Sequence, residues 1–456
     1  MKPGKLYGVA AVLIVLAAMT ALLSGCSSVD MLMSGSPTED VLGALQEDLF
    51  GCGEQYYNTL EMALPRHSGY AMVEDKYAYD SLTEQDQREA YRMIEENVWQ
   101  VTSEAGGAYG RYALRRIDLP DSLTSGEILM VKEAVLADHP EVFWVNNNYS
   151  LGYNFHDGNY MSLYTNYSYG ELTQRIGALE DNVALALREI PGGLNEYDRE
   201  LIIHDIIVRD VQYDVEAAEQ EGESLVEPSS SYGALVNKMA LCSGYSHAAK
   251  LLLNRVGISC TTIKGMSMGT AHMWNLVNID DNWYHLDVTW NDPITYSEEP
   301  LRYYDYFNLN DENIGFDHEF AEHYNTLTEE MIANQDETEG YFFNFTLPEC
   351  TSMKHNYYEL NAVPVETLSD ESAEMIERLI TAMSQTKETS MLINFPKGMD
   401  YKVVEAWLDD ALYNGIRNAN RKAAAGIKGC TRINRSADDP SWCNVYSITL
   451  DYGQLQ

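Results

Sequence analysis

Basic residues are scarce in this sequence: 30 lysines and arginines face 70 aspartates and glutamates, a formal charge of −40 at pH 7. So acidic a surface repels phosphate backbones and anionic lipid headgroups, which excludes nucleic acid as a partner and leaves cationic ones compatible. Metal-ligand spacings are missing as well. No CxxC or HExxH run and no EF-hand loop occurs, so neither metal nor cofactor is expected. Apart from Tyr7–Leu23, no apolar run is long enough to cross a bilayer. There is no internal repeat, which excludes solenoids and propellers.

Chemistry is concentrated in one stretch, Ser231 to Pro293. From Ser243 to Val256, Ala248, Ala249, Leu251, Leu252, Leu253 and Val256 repeat with helical spacing, and Gly257 stops the helix. Cys242 opens it. Free N–H groups and the positive end of the helix dipole favour a thiolate there and are able to hold an oxyanion. Three short apolar runs follow: Ile258–Ile263, Ala271–Ile279 and Asn282–Trp290. Asp280-Asp281 between the last two reads as a two-residue hairpin loop. That loop pairs Ile279 with Asn282, sets Trp274 opposite Asp287, and brings His272 one diagonal step from Asp287 on the same face. A slip of one residue would separate them. A Cys, a His and an Asp so arranged divide the work of acyl transfer: Cys242 as nucleophile, His272 as general base and acid, Asp287 as orienter.

These residues resemble a family, the bacterial transglutaminase-like proteins of the papain-like cysteine enzyme superfamily. The likeness rests on Leu241-Cys242-Ser243-Gly244-Tyr245, on His272-Met273-Trp274-Asn275, and on Trp283 through Trp290. Ile203-His204-Asp205, Tyr213-Asp214 and Tyr306-Phe307-Asn308 resemble the flanking segments of that core. The resemblance implies an α+β, papain/transglutaminase-like fold, with the Cys helix packed on an antiparallel sheet that bears His and Asp. It covers about a third of the chain and leaves the reaction open among amine transfer, deamidation and peptide hydrolysis. Tyr213 and Asn237 are the two candidates for a second oxyanion donor. Asn275 points away from His272 by alternation, and His204 reads as a packed or surface histidine.

At the N-terminus, Lys2 and Lys5 precede the apolar run, and Leu23-Ser24-Gly25-Cys26 resembles a bacterial lipoprotein signal. It implies cleavage after residue 25 and a lipid on Cys26; an ordinary secretory signal or an uncleaved anchor is the alternative. Cleavage removes two lysines and no acids, so −40 becomes −42. Residues 26–69 read as a tether and irregular lead-in.

Residues 70–164 read as an N-terminal α+β domain, with a helix capped by Thr83, a helix over Gly126–Ala137, and strands at Val142–Val145 and Tyr149–Phe155. Residues 165–330 read as the catalytic core, whose Gly265–Thr270 is a loop fit to flex over the cleft. Residues 340–456 read as a C-terminal α/β domain, with a ferredoxin-like sandwich as the candidate arrangement, strands at Tyr357–Val363, Met391–Phe395 and Val445–Leu450 and helices around Ile376–Met383 and Val403–Leu412. Cys430 and Cys443 are candidates for a disulfide in an exported chain, and Cys260 for an inert buried thiol. Cys52 and Cys350 have no assigned role.

Two functions compete. One is a membrane-anchored, extracytoplasmic cysteine enzyme that acts on Gln or peptide amides of a protein or peptide substrate, with cell-wall-associated protein among the candidates. The other is a catalytically silent binding module on the same fold at the cell surface. Three intact catalytic residue types favour the first.

Overall fold

The computed structural model describes residues 61–65, 76–154, 158–220, 225–292, 303–320, 345–434 and 444–453. The signal segment, Cys26, the tether as far as residue 60, Cys52 and Cys443 lie outside the described residues. No described helix is long and apolar enough to cross a membrane.

The chain divides into two compact units, one built from β1 with residues Glu84–Ile128 and Trp144–Gln174, the other from Leu129–Phe143 and the chain from Arg175 onward. In the first, an antiparallel sheet runs in the order β1 (Glu61–Ala63), β2 (Gln100–Ala105), β3 (Tyr112–Leu114), β6 (Gly158–Thr165) and β4 (Ile117–Leu119), with β5 (Tyr149–Asn154) also paired to β6. The lead-in therefore contributes an edge strand. Helix α1 (Gln85–Asn97) starts one residue beyond the expected cap, with Glu84 at the N-cap and no side chain bonded there. Its stripe of Tyr91 and Ile94, continued by Val98, is fully buried. Helix α2 (Ser125–Asp138) opens on a capping box: Thr124 Oγ1 accepts from Glu127 N–H, while Glu127 Oε2 accepts from Thr124 N–H. Val142–Val145 is not a strand. Val142 N–H turns back to His139 O and Phe143 N–H to Glu141 O, so a β-branched run closes a local turn instead of joining a ladder.

The long helix α3 (Tyr169–Leu187) belongs to the second unit from Arg175 onward, and α4 (Glu196–Asp210), capped by Asn195, follows it there. His204 on α4 is fully buried beside Phe307 and Tyr304. A parallel pair, β7 (Gln212–Tyr213) and β8 (Met239–Ala240), leads into α5 (Cys242–Arg255). The sheet that follows has the order β12 (Phe307–Leu309), β11 (Asn282–Leu286), β10 (Thr270–Ile279), β9 (Cys260–Ser267) and β13 (His318–Glu319). The β10–β11 register pairs Ile279 with Asn282 and Asn275 with Leu286, as the two-residue loop requires. Asp280 and Asp281 take φ of 49° and 61°, the left-handed pair of a type I′ turn. Gly265–Thr270 is not a loop. β9 runs to Ser267, β10 starts at Thr270, and only Met268 and Gly269 turn, both with positive φ. Strand pairing on both sides of Gly265 uses the backbone that a mobile loop would need free.

The C-terminal layer lies within this second unit. Sheet order is β14 (Val363–Pro364), β15 (Ser390–Asn394), β17 (Val445–Asp451), β16 (Gly429–Asn434), packed with α6 (Asp370–Thr386) and α7 (Tyr401–Ala423) over a core of Ile376, Ile380, Ile393, Val404, Leu408 and Ile448. The element order βαβαββ is not the ferredoxin-like βαββαβ. Tyr357–Asn361 is a helical turn rather than a strand, because Asn356 Oδ1 caps the N–H groups of Tyr358 and Glu359. Cys430 is an exposed thiol; the expected bridge to Cys443 falls on a residue outside the described ones. Cys260 is a free thiol buried in β9.

Candidate active site

Three segments converge on the site: the start of α5, the first half of β10, and the turn after β11. No described side chain caps the N-terminus of α5, whose N-cap is Leu241. Its first N–H groups therefore remain available to a ligand. The close approach that seats Cys242 depends on Gly244, since a Cβ there would stand 2.5 Å from Pro228 O and 2.7 Å from Ala240 Cβ. Helix and sheet are tied by Ser246 Oγ, which donates at 2.8 Å to Cys242 O and 3.0 Å to Met273 O. Asn275 faces away from His272 and donates to Ser246 O at 3.0 Å. Lys250, fully buried, donates its Nζ to Cys260 O.

His272 Nε2 lies 2.6 Å from Asp287 Oδ2. The Cys242 side chain lies near enough to the ring to favour its protonated form. Burial by itself would strip the proton from His272, but the charges and hydrogen bonds of Asp287 and Cys242 outweigh it and hold the ring protonated up to about 10. Burial likewise opposes an ionised Asp287, and the His272 and His318 rings overcome it, so the carboxyl sits well below its usual range. Asp287 is fully buried, Cys242 partly exposed. The sequence-assigned Cys, His and Asp are thus brought together, with the Cys242 thiol on the open side.

A fourth residue was not legible in the sequence. His318 Nε2 lies 3.1 Å from the same Asp287 Oδ2, and its Nδ1 lies 2.5 Å from Asp317 Oδ1. Tyr306 Oη donates to Asp317 Oδ2 at 2.5 Å. Asp287 Oδ1 accepts from Trp290 N–H at 3.0 Å, so both carboxylate oxygens are occupied. β13 carries His318 and has only two residues, too short to leave a periodic signal.

Of the two candidate oxyanion donors, β7–β8 pairing sets Tyr213 opposite Ala240, two residues before Cys242, and burial first, then the nearness of Cys242, raises its phenol above the usual value. Asn237 is committed elsewhere: its Nδ2 donates to Glu227 Oε1 at 2.8 Å.

Among the described residues, two groups bring side chains of metal-ligating type together, His272–Asp287–His318 and His285–Asp311–Cys350. Their donor chemistry is that of hydrogen bonds. Trp274 Nε1–H donates to His285 Nδ1, which puts the ring proton on Nε2, the nitrogen that faces Asp311. In the first group, the ring nitrogens that face Asp287 meet a single oxygen as donors.

Residues 184–288 match the family model described as the transglutaminase-like superfamily, so the chain carries a transglutaminase-like domain. Over 96 residues the chain is 27% identical to the kyphoscoliosis peptidase of Mus musculus and 25% identical to that of Homo sapiens; each match takes in 18% of this chain and 14% of the relative's length. The chain therefore spans far less than two thirds of those curated relatives. Among solved structures, a TGase aligns with a TM-score of 0.25 at 15% identity, over 40% of this chain and 52% of that one. A proposed cysteine protease from Cytophaga hutchinsonii aligns with a TM-score of 0.21 at 15% identity, over 31% and 61%.

Proposed function

We propose that the protein is a cysteine acyl-transfer enzyme acting on glutamine or peptide amides. The observation that carries this reading is the convergence of Cys242, His272 and Asp287 at an uncapped helix N-terminus, with the thiol partly exposed and the carboxylate buried. His272 takes the thiol proton. The Cys242 thiolate attacks the amide carbonyl, and the N–H groups at the start of α5 together with the Tyr213 hydroxyl receive the developing oxyanion. His272 then protonates the leaving nitrogen, and a Cys242 thioester remains. An amine or water displaces the thiolate in the second half, with His272 removing its proton.

The chain acts on the extracytoplasmic face, tethered by a lipid on Cys26. The support is the apolar run that ends in Leu23-Ser24-Gly25-Cys26. Incorporation of labelled palmitate that survives Cys26→Ser would remove the anchor from this reading.

The test of the chemistry is the rate of iodoacetamide alkylation of Cys242 between pH 5 and 9, read by peptide mass spectrometry. Fast alkylation at pH 6 that is lost in His272→Ala is the expected result. A screen of glutamine peptides with and without an amine acceptor then separates transfer from hydrolysis. Alkylation indifferent to His272→Ala would point to a silent binding module.

A further inference from the structure

Beyond the family-model match, at residue 318, the chain adds a second imidazole to the catalytic carboxylate. We propose that His318, held by Asp317, is a positioning residue that fixes the Asp287 carboxylate and tempers its charge, and so sets the pH range over which His272 is protonated. The inference rests on the acyl-transfer reading above.

The argument starts from Asp287 Oδ2. It accepts from two imidazoles, His272 at 2.6 Å and His318 at 3.1 Å, while Oδ1 is pinned by Trp290 N–H at 3.0 Å. A carboxylate held at both oxygens cannot rotate away from His272. His318 is itself confined. Its ring meets Trp274, Tyr306, Trp290 and His272 at centroid distances of 4.9, 5.4, 5.9 and 5.4 Å. β13 pairs with β9, and Met268 N–H donates to Asp317 O, so the backbone behind it is fixed too. A carboxylate faces each nitrogen of His318; burial opposes a charge on the ring, but Asp287 and Asp317 outweigh it and raise the ring above its ordinary value. The titratable groups facing it are Asp287, Asp317, His272, Tyr306 and His285, and burial lowers His285 below its ordinary value against the pull of Asp311. Part of the Asp287 charge is therefore spent on His318 rather than on His272. The arrangement needs no metal, since every polar atom of Asp287 and both nitrogens of His318 already have partners.

Three variants of the full chain test this, compared by Cys242 alkylation at pH 6 and by NMR titration of the His272 ring. His318→Gln keeps an N–H toward Asp287 but not the charge. His318→Leu removes both. Asp317→Asn leaves the imidazole and removes the carboxylate that keeps it charged. His318→Leu is expected to slow alkylation at least about tenfold, while His318→Gln holds it within about threefold. In the Gln and Asn variants His272 gives up its proton at higher pH than in the wild type, because Asp287 is less neutralised. If the Leu variant does not fold, Asp317→Asn carries the test. Equal losses in the Leu and Gln variants with His272 titrating as in the wild type would reduce His318 to packing and overturn the inference, as would wild-type behaviour in all three. His272→Ala is the control: if it leaves alkylation unchanged, the acyl-transfer reading fails and this inference with it.

Discussion

Trp274 stands between two histidines in different ways: its Nε1–H donates to His285 Nδ1 at 2.9 Å, while its ring lies nearly parallel to that of His272, 5.8 Å away. His285 passes the bond on to Asp311 at 2.9 Å. Trp274→Phe keeps a ring beside His272 but leaves a buried acceptor unpaired. Urea unfolding should show a loss of about 1–3 kcal/mol, with Cys242 alkylation close to wild type. A stable variant with a slow thiol would mean that the indole acts on the chemistry directly.

The His272–Asp287 pair makes stability depend on pH in a defined direction. The folded His272 is raised to about 10, so its contribution is complete below its unfolded value of about 6.5 and is lost as pH rises through about 10. Asp287 is depressed, so its contribution is present above about 3.9 and is lost as pH falls. The difference in Tm between wild type and Asp287→Asn should therefore peak between about pH 4 and 6.5. A difference that grows steadily toward pH 10 would contradict the pairing.

Glu200 on α4 is fully buried, and burial pushes its carboxyl up to about 8 against the bond from Asn308 Nδ2. A raised folded value means stability that is intact below the unfolded value of about 4.3 and is lost as pH rises through about 8. Glu200→Gln removes the ionisable group in the same shape. Thermal melts should show it neutral at pH 4 and stabilising at pH 9.

Gly265 sits opposite His272 in the β9–β10 pair, with β13 on its other side. A Cβ there would stand 2.2 Å from Glu319 O and 2.8 Å from the Trp274 ring. Gly265→Ala must push β13 or the indole outward, at about 1–3 kcal/mol. The displacement reaches His318, so Cys242 alkylation at pH 6 should fall together with Tm; a lower Tm with unchanged alkylation would separate the two.

Tyr213→Phe removes a hydroxyl but little volume. If that hydroxyl receives the oxyanion, turnover of a glutamine peptide drops about 10²–10³-fold. Alkylation by iodoacetamide develops no oxyanion and should be unaffected. Equal loss in both assays would place Tyr213 in packing.

Local rules reach a long way here. A helical stripe ending at Gly257 locates α5, and two aspartates between apolar runs determine a hairpin whose register puts His272 near Asp287. Such features depend on neighbours a few residues apart, and they are legible. Where the same rules fail, a longer-range partner or a cap has decided. Val142–Val145 has strand composition but no ladder to join, and Tyr357–Asn361 is diverted into a turn by the Asn356 cap, which leaves Val363 to start β14.

The sequence by itself singled out Cys242, His272 and Asp287 and their spacing, because these lie within 46 residues on elements with strong periodicity. Only the tertiary structure decided that Asp287 is shared. His318 comes 31 residues after Asp287, on a two-residue strand that exists because β9 offers it an edge. Pairing of that kind has no local propensity to announce it. It follows from sheet closure, which brings distant chain to one carboxylate and buries all the partners together.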